Sequence, residues 1–275
     1  MHVRLLTVVV AALAAVIGTA PASAASTKFN PPKHYYLSLG DSVAFGFQRD
    51  KFLAELATNS YSPGSFPGYT YAFGARLQPL SPGLTVVDYG CPGETTLSYA
   101  VSCAFQDGLG FAVHDSYAGK SQEQAALSFL KAHPGQVSPI TVALGANDAQ
   151  QGVTDSVIQQ NLTRILGELR AVAPDAEIIV LQYYNPFYVL DPATDTVVAA
   201  LDASIAIAAA SAGSRVANAF AVFNNPSPPP PATEFTDVCQ LTLMCPGGDI
   251  HPRDLGYITI ADIFWDASGY TRLTA

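Results

Sequence analysis

The stretch "ITVALGAND", Ile140 to Asp148, decides the fold. Ile140–Leu144 is short, apolar and rich in strand-favouring residues, and it has no polar face. A strand wetted on one side alternates apolar and polar residues. One that is apolar on both sides is covered on both, as parallel strands beneath helices are. Four further segments read as buried strands: Tyr35–Leu39, Leu84–Tyr89, Glu177–Gln182 ("EIIVLQ") and Arg215–Phe220. Helical patterns lie between them. Ser121 to Gln124 forms a capping-box pattern, and "HPG" at 133–135 is a stop. From Thr154 to Val172, residues Ile158, Leu162, Ile165, Leu169 and Val172 share one stripe. Thr196–Ala212 is Ala-rich and helical. A last helix is expected over Pro252–Ala267, with Leu255, Ile258, Ala261 and Trp265 facing inward. Strand then helix, repeated, predicts an α/β chain of three layers, α/β/α, around a five-stranded, mostly parallel sheet.

Residues 1–24 read as a secretory signal peptide. Arg4 gives a basic start, Leu5–Ile17 is an apolar run, and Ala22-Ser23-Ala24 is a small-residue cleavage site. The alternative, a retained anchor, is disfavoured because that run is short for a span. Beyond it, polar residues or Pro interrupt every apolar run, so no membrane span is expected. Residues 25–275 are then one secreted, extracellular catalytic domain, without internal repeat. Removing Arg4 with the leader leaves twelve basic against 22 acidic side chains, a net charge near −10. That argues against nucleic acid and against an anionic membrane as partners.

The four cysteines fall into local pairs, Cys91 with Cys103 and Cys239 with Cys245. In an exported chain two short-range disulfides are the economical reading, and metal ligation is the weaker one. Asn161-Leu162-Thr163 matches a glycosylation triplet, but it falls within a predicted helix.

Reactive groups of a parallel α/β sheet gather at the carboxyl ends of its strands. Ser42, in "GDS" at 40–42, ends the first strand. Gly90 and Gly93 follow the second, and Asn147-Asp148 the third. His251, in "GGDIHPRDLGY", precedes the last helix. A hydroxyl becomes a useful nucleophile when an imidazole takes its proton, and an ester carbonyl under attack needs fixed donors for its oxyanion. Singly these residues read as turns and caps. Together, at these strand ends, they read as one ester-cleaving site. No G-x-S-x-G elbow surrounds Ser42, so the α/β-hydrolase fold is the poorer match.

Gly40-Asp41-Ser42, Gly93 of "GCPGET", Gly145-Ala146-Asn147-Asp148 and Asp249-Ile250-His251-Pro252, in this order, resemble the blocks of the SGNH or GDSL hydrolase superfamily of esterases and lipases. The resemblance implies Ser42 as nucleophile and His251 as general base. It implies an oxyanion hole of the Ser42 and Gly93 backbone N–H groups with the Asn147 amide. It further implies a flavodoxin-like sheet, no metal and no cofactor. One position departs from the family pattern. The aspartate usually stands three residues before the histidine, where this chain has Gly248, and Asp249 is two before. Asp249 could reach the imidazole from there. A backbone carbonyl could take its place, or Asp249 could cap the last helix.

The expected activity is that of a carboxylester hydrolase acting on lipid or simple acyl esters through a Ser42 acyl-enzyme, as a monomer without stable membrane insertion. A carbohydrate O-acetylesterase is the alternative, and a non-catalytic secreted binding protein of the same fold a third. Phe45, Phe47, Tyr61, Phe66, Tyr69, Tyr71 and Phe73 could line an acyl cleft or simply pack.

Overall fold

The computed structural model describes residues 29–227 and 233–274. The leader at 1–24 lies outside the described residues, as does the Pro-rich centre of the segment 224–239. The sheet consists of β1 (Tyr35–Gly40), β2 (Thr85–Asp88), β3 (Val137–Ala143), β4 (Ile178–Gln182) and β5 (Arg215–Asn218). All neighbours pair in parallel, in the order β2-β1-β3-β4-β5. This is the flavodoxin-like order, and every residue of β3 is buried, as its two apolar faces require. After β1 the chain steps outward to β2, then crosses back to β3 on the other side. The carboxyl ends of β1 and β3 therefore flank the switch point, where an open α/β sheet has its crevice.

In chain order the helices are α1 (Ser42–Phe45), α2 (Arg49–Ala57), α3 (Gly68–Leu77), α4 (Gln122–Ala132), α5 (Ala146–Gln150) and α6 (Asp155–Val172). They continue with α7 (Asp195–Ser211), α8 (Phe220–Phe223), α9 (Glu234–Leu241), α10 (Met244–Gly247) and α11 (Asp254–Ser268). Helices α3 and α11 pack together on one side of the sheet, joined by the stack of Tyr69 on Phe264 at 4.7 Å. Helices α4, α6 and α7 form the other layer. The Ser121 capping box starts α4, and Ile158, Leu162, Ile165 and Leu169 are the buried stripe of α6.

Two expectations need correcting. Strand β5 stops at Asn218, and Phe220 begins α8 instead of extending the strand. Asn218 pairs with Gln182, the last residue of β4, so no ladder remains beyond it. In α11 the inward face is Tyr257, Ile260, Ala261 and Phe264, whereas Leu255 and Ile258 are 54% and 48% exposed. Gly256 sets that rotation, because a Cβ there would stand 2.0 Å from the Leu241 carbonyl oxygen. The stretch Pro192–Ser211, mean hydropathy 1.5, is long and apolar enough to cross a membrane by length and composition. It nonetheless buries Leu201, Ile205, Ala208 and Ala209 against the core.

The aromatic segment 59–73 mostly packs. Tyr69 and Phe73 belong to the main core through α3. Phe45, Phe52, Phe66 and Phe105 form a second cluster around Cys91 and Cys103. Both local disulfides are formed, Cys91–Cys103 and Cys239–Cys245.

Candidate active site

Strand β1 ends on Gly40 with φ +142°, and any Cβ there would lie 2.2 Å from the Ala143 carbonyl oxygen. Only glycine lets the two central strands approach this closely as the chain turns out of the sheet. Asp41 follows as N-cap of α1, its Oδ1 accepting the Val43 N–H at 2.8 Å. The cap places Ser42 first in the helix, and Gly46 (φ +87°) closes the turn. Asp41 is buried, which pushes its carboxyl up to about 6, although hydrogen bonds from the Tyr183 hydroxyl (2.7 Å) and Val43 N–H act the other way.

His251 arrives from the far end of the chain. Its carbonyl accepts the Leu243 N–H at 2.9 Å, and Thr242 bridges Pro252, so the loop is pinned on both sides. Its Nε2 lies 3.0 Å from Ser42 Oγ, and its Nδ1 lies 2.6 Å from Asp249 Oδ1. Gly248 (φ +61°) provides the left-handed turn that brings Asp249 under the ring. Asp249 Oδ1 also accepts the His251 N–H (3.2 Å), and Oδ2 accepts the Arg49 N–H (2.9 Å). Burial alone would raise this carboxyl. The hydrogen bond and charge of the imidazole, helped by the two backbone donors, outweigh it and hold Asp249 below the usual carboxylate range. The carbonyl alternative is thus not what the geometry shows. Nor does Asp249 cap the last helix: α11 has Arg253 at its N-cap, and Asp249 instead satisfies the first N–H of α2.

The donors converge from the other side. Cys91-Pro92-Gly93-Glu94 closes a β-turn with the Glu94 N–H on the Cys91 carbonyl (3.0 Å), and Gly93 adopts φ +85° at its third position. Pro then Gly at these two places is the pattern of a type II turn, whose third residue needs positive φ. Asn147 stands in the first turn of α5, after Gly145 (φ +121°). Its Nδ2 donates to the Glu94 carbonyl at 2.8 Å and keeps a second hydrogen for the crevice. Next to it, buried Asp148 accepts both the Thr96 N–H (2.8 Å) and the Thr96 hydroxyl (2.6 Å), which ties α5 to the Gly93 loop. Asn161 Nδ2 donates to that same Thr96 hydroxyl from within α6, so the glycosylation triplet sits in a helix with its asparagine engaged.

Ser42, Gly93, Asn147 and His251 all face one cavity of about 580 Å³. Its remaining wall is mainly apolar: Tyr183, Tyr184, Pro186 and Phe187 after β4, and Val197, Val198 and Leu201 from α7. These residues escaped the sequence reading. The signal that could have found them is position: "YYNPF" exits β4 at the same sheet edge as the other site residues. Of the aromatics read from the first segments, Phe47 alone lines the cavity, its ring 5.0 Å from the imidazole. A hydroxyl bonded to an imidazole, an imidazole oriented by a carboxylate, and donors across a small hollow make an arrangement able to transfer acyl groups.

The sequence profile of the GDSL-like lipase/acylhydrolase family matches residues 38–257. No curated protein matches the chain in sequence. Among solved structures, an acetylxylan esterase from Geobacillus stearothermophilus superposes with a TM-score of 0.57 at 17% identity, over 88% of this chain and 97% of that one. A lipase from a goat rumen metagenome gives 0.56 at 16% identity, over 86% and 97%. A member of the lipolytic G-D-S-L family from Veillonella parvula gives 0.54 at 15%, over 84% and 96%. At these identities the likeness shows a shared fold.

Proposed function

This chain belongs to the GDSL-like lipase/acylhydrolase family, and on that premise we propose that it is a secreted serine carboxylester hydrolase cleaving acyl esters. The observation that carries the proposal is the Ser42–His251–Asp249 chain of contacts, 3.0 and 2.6 Å long. In this reading Ser42 Oγ attacks the ester carbonyl while His251 Nε2 takes its proton. Asp249 holds the proton on Nδ1 and stabilises the imidazolium that forms. The Ser42 and Gly93 N–H groups and the Asn147 amide receive the oxyanion. The intermediate collapses, His251 protonates the departing alcohol, and water repeats the sequence on the acyl-enzyme. Two disulfides, together with the leader-like residues 1–24, support export.

The apolar wall from Tyr183 to Leu201 favours an acyl chain of several carbons over acetyl alone, since an acetyl group would leave most of the 580 Å³ unfilled. A fluorophosphonate probe is expected to label the protein and to fail on Ser42→Ala; equal labelling of that variant would remove the reading. Rates over esters of increasing acyl length decide the substrate. Turnover confined to acetyl esters would favour carbohydrate deacetylation, the activity in the name of the Geobacillus structure.

A further inference from the structure

Among the buried carboxyls that the mechanism above leaves unused, one adjoins the oxyanion donors. Glu94, 2% exposed, follows Gly93 directly, and its backbone and side chain point to different partners. Its carbonyl accepts the Asn147 amide at 2.8 Å. One carboxyl oxygen meets the Ser98 hydroxyl, and the other accepts Gln122 Nε2 at 3.2 Å. Gln122 is fully buried and grips both sides of Gly40: its Oε1 accepts the Gly40 N–H (2.6 Å), and its Nε2 donates to the Gly40 carbonyl (3.0 Å). Gly40 in turn stands two residues before Ser42. A continuous hydrogen-bonded path thus runs from the nucleophile turn, through Gln122 and Glu94, to Gly93 and Asn147.

We propose that Glu94 is a positioning residue: in its neutral form, clasped by Gln122 and Ser98, it fixes the Gly93 and Asn147 donors at their working distance from Ser42. The proposal rests on the oxyanion roles assigned above. A neutral carboxyl suits this place. The groups acting on Glu94 from the packed elements are Asp41 at the end of β1 and Asp148 in α5, both acidic. The phenols of Tyr99 and Tyr117 lie in its field as well, and the disulfide sulfurs of Cys91 and Cys103 lie within 4.8 Å of its carboxyl. No cation stands among the leading influences on it. Burial, reinforced by Asp41 and Asp148, pushes Glu94 up to about 8. Above that pH a third negative charge must enter a buried site already holding two carboxylates. The loop carrying Gly93 relaxes, and the donors lose alignment.

The test compares the intact wild-type protein with Glu94→Gln and Glu94→Leu on a soluble aryl ester from pH 6 to 10. Wild-type kcat is expected to fall on the alkaline side with an apparent pKa near 8. Glu94→Leu, which removes the clasp, is expected to lower kcat about 10²-fold with KM nearly constant. Glu94→Gln keeps the shape and cannot ionise; it should recover most of that loss and lack the alkaline limb. An alkaline limb in Glu94→Gln identical to wild type would overturn the proposal, as would a Glu94→Leu enzyme with normal kcat. Should Glu94→Leu fail to fold, the Glu94→Gln profile decides alone. Loss of turnover in Ser42→Ala and Asn147→Ala, alongside unaffected Glu94 variants, would sink this inference and leave the proposed function standing.

Discussion

Asp249 shows how much one φ angle can decide. From the sequence it stood a residue too close to His251 for the family pattern, yet Gly248 turns the chain at φ +61° and brings Oδ1 to 2.6 Å from Nδ1. Asp249→Asn should therefore lower kcat on the order of 10³–10⁴-fold with KM little changed, because an amide there can present N–H to the ring and favour the wrong tautomer. Steady-state kinetics checks this, and a loss below tenfold would assign the orienting role elsewhere. Ser42, Gly93 and Asn147 were legible because they are polar or glycine residues at strand exits, and His251 because it is a histidine in a polar loop just before the last helix. The partner of His251 was not, since it depended on a backbone turn that spacing alone does not specify. Glu94 was illegible for a related reason. Its importance lies in contacts to Gln122 and Asn147, 28 and 53 residues away.

Single elements carry the substrate wall and the loop that holds Gly93. Helix α7 contributes Val197, Val198 and Leu201 to the cavity. Val198→Trp should cut turnover of long acyl esters at least about tenfold while sparing acetate esters, since a bulkier wall takes volume from the acyl end only. A uniform loss over all chain lengths would place Val198 elsewhere in the reaction. The Cys91–Cys103 bridge spans 12 residues and encloses Gly93. Replacing both with Ser should cost about 2–3 kcal/mol of stability and reduce activity as well, because Gly93 then hangs on a looser loop. Thermal melting and kcat measured together test this, and unchanged kcat would refute the bracing role. Periodicity read α6 well because one face of it is polar. It misjudged α11, where Leu255 and Ile258 are as apolar as Tyr257 and Phe264 yet lie on the exposed side. The wall after β4 was missed because Tyr, Pro and Phe in a loop read equally well as packing, which is what most aromatics of the 59–73 segment do.

Across the molecule, several buried carboxyls share a direction. Burial pushes Asp41 to about 6, Asp202 to about 7 and Glu94 to about 8. Each holds its proton more tightly folded than unfolded, so its contribution is fully present below the ordinary carboxylate range and lost as pH rises through 6, 7 and 8. Asp249 has the opposite sign, its contribution vanishing as pH falls below 3.8. Tm should therefore be highest near about pH 4–5 and decline toward pH 9. A Tm that rises over that interval would contradict the burial of these groups. The hydroxyl and the imidazole that meets it are separated by 209 residues of chain. During synthesis, a growing polypeptide would display its serine first and acquire the matching base only 209 residues later. In the proposed reaction, a half-finished molecule carries a serine without its base, and esterolysis begins only after the segment with His251 has folded back onto the first strand.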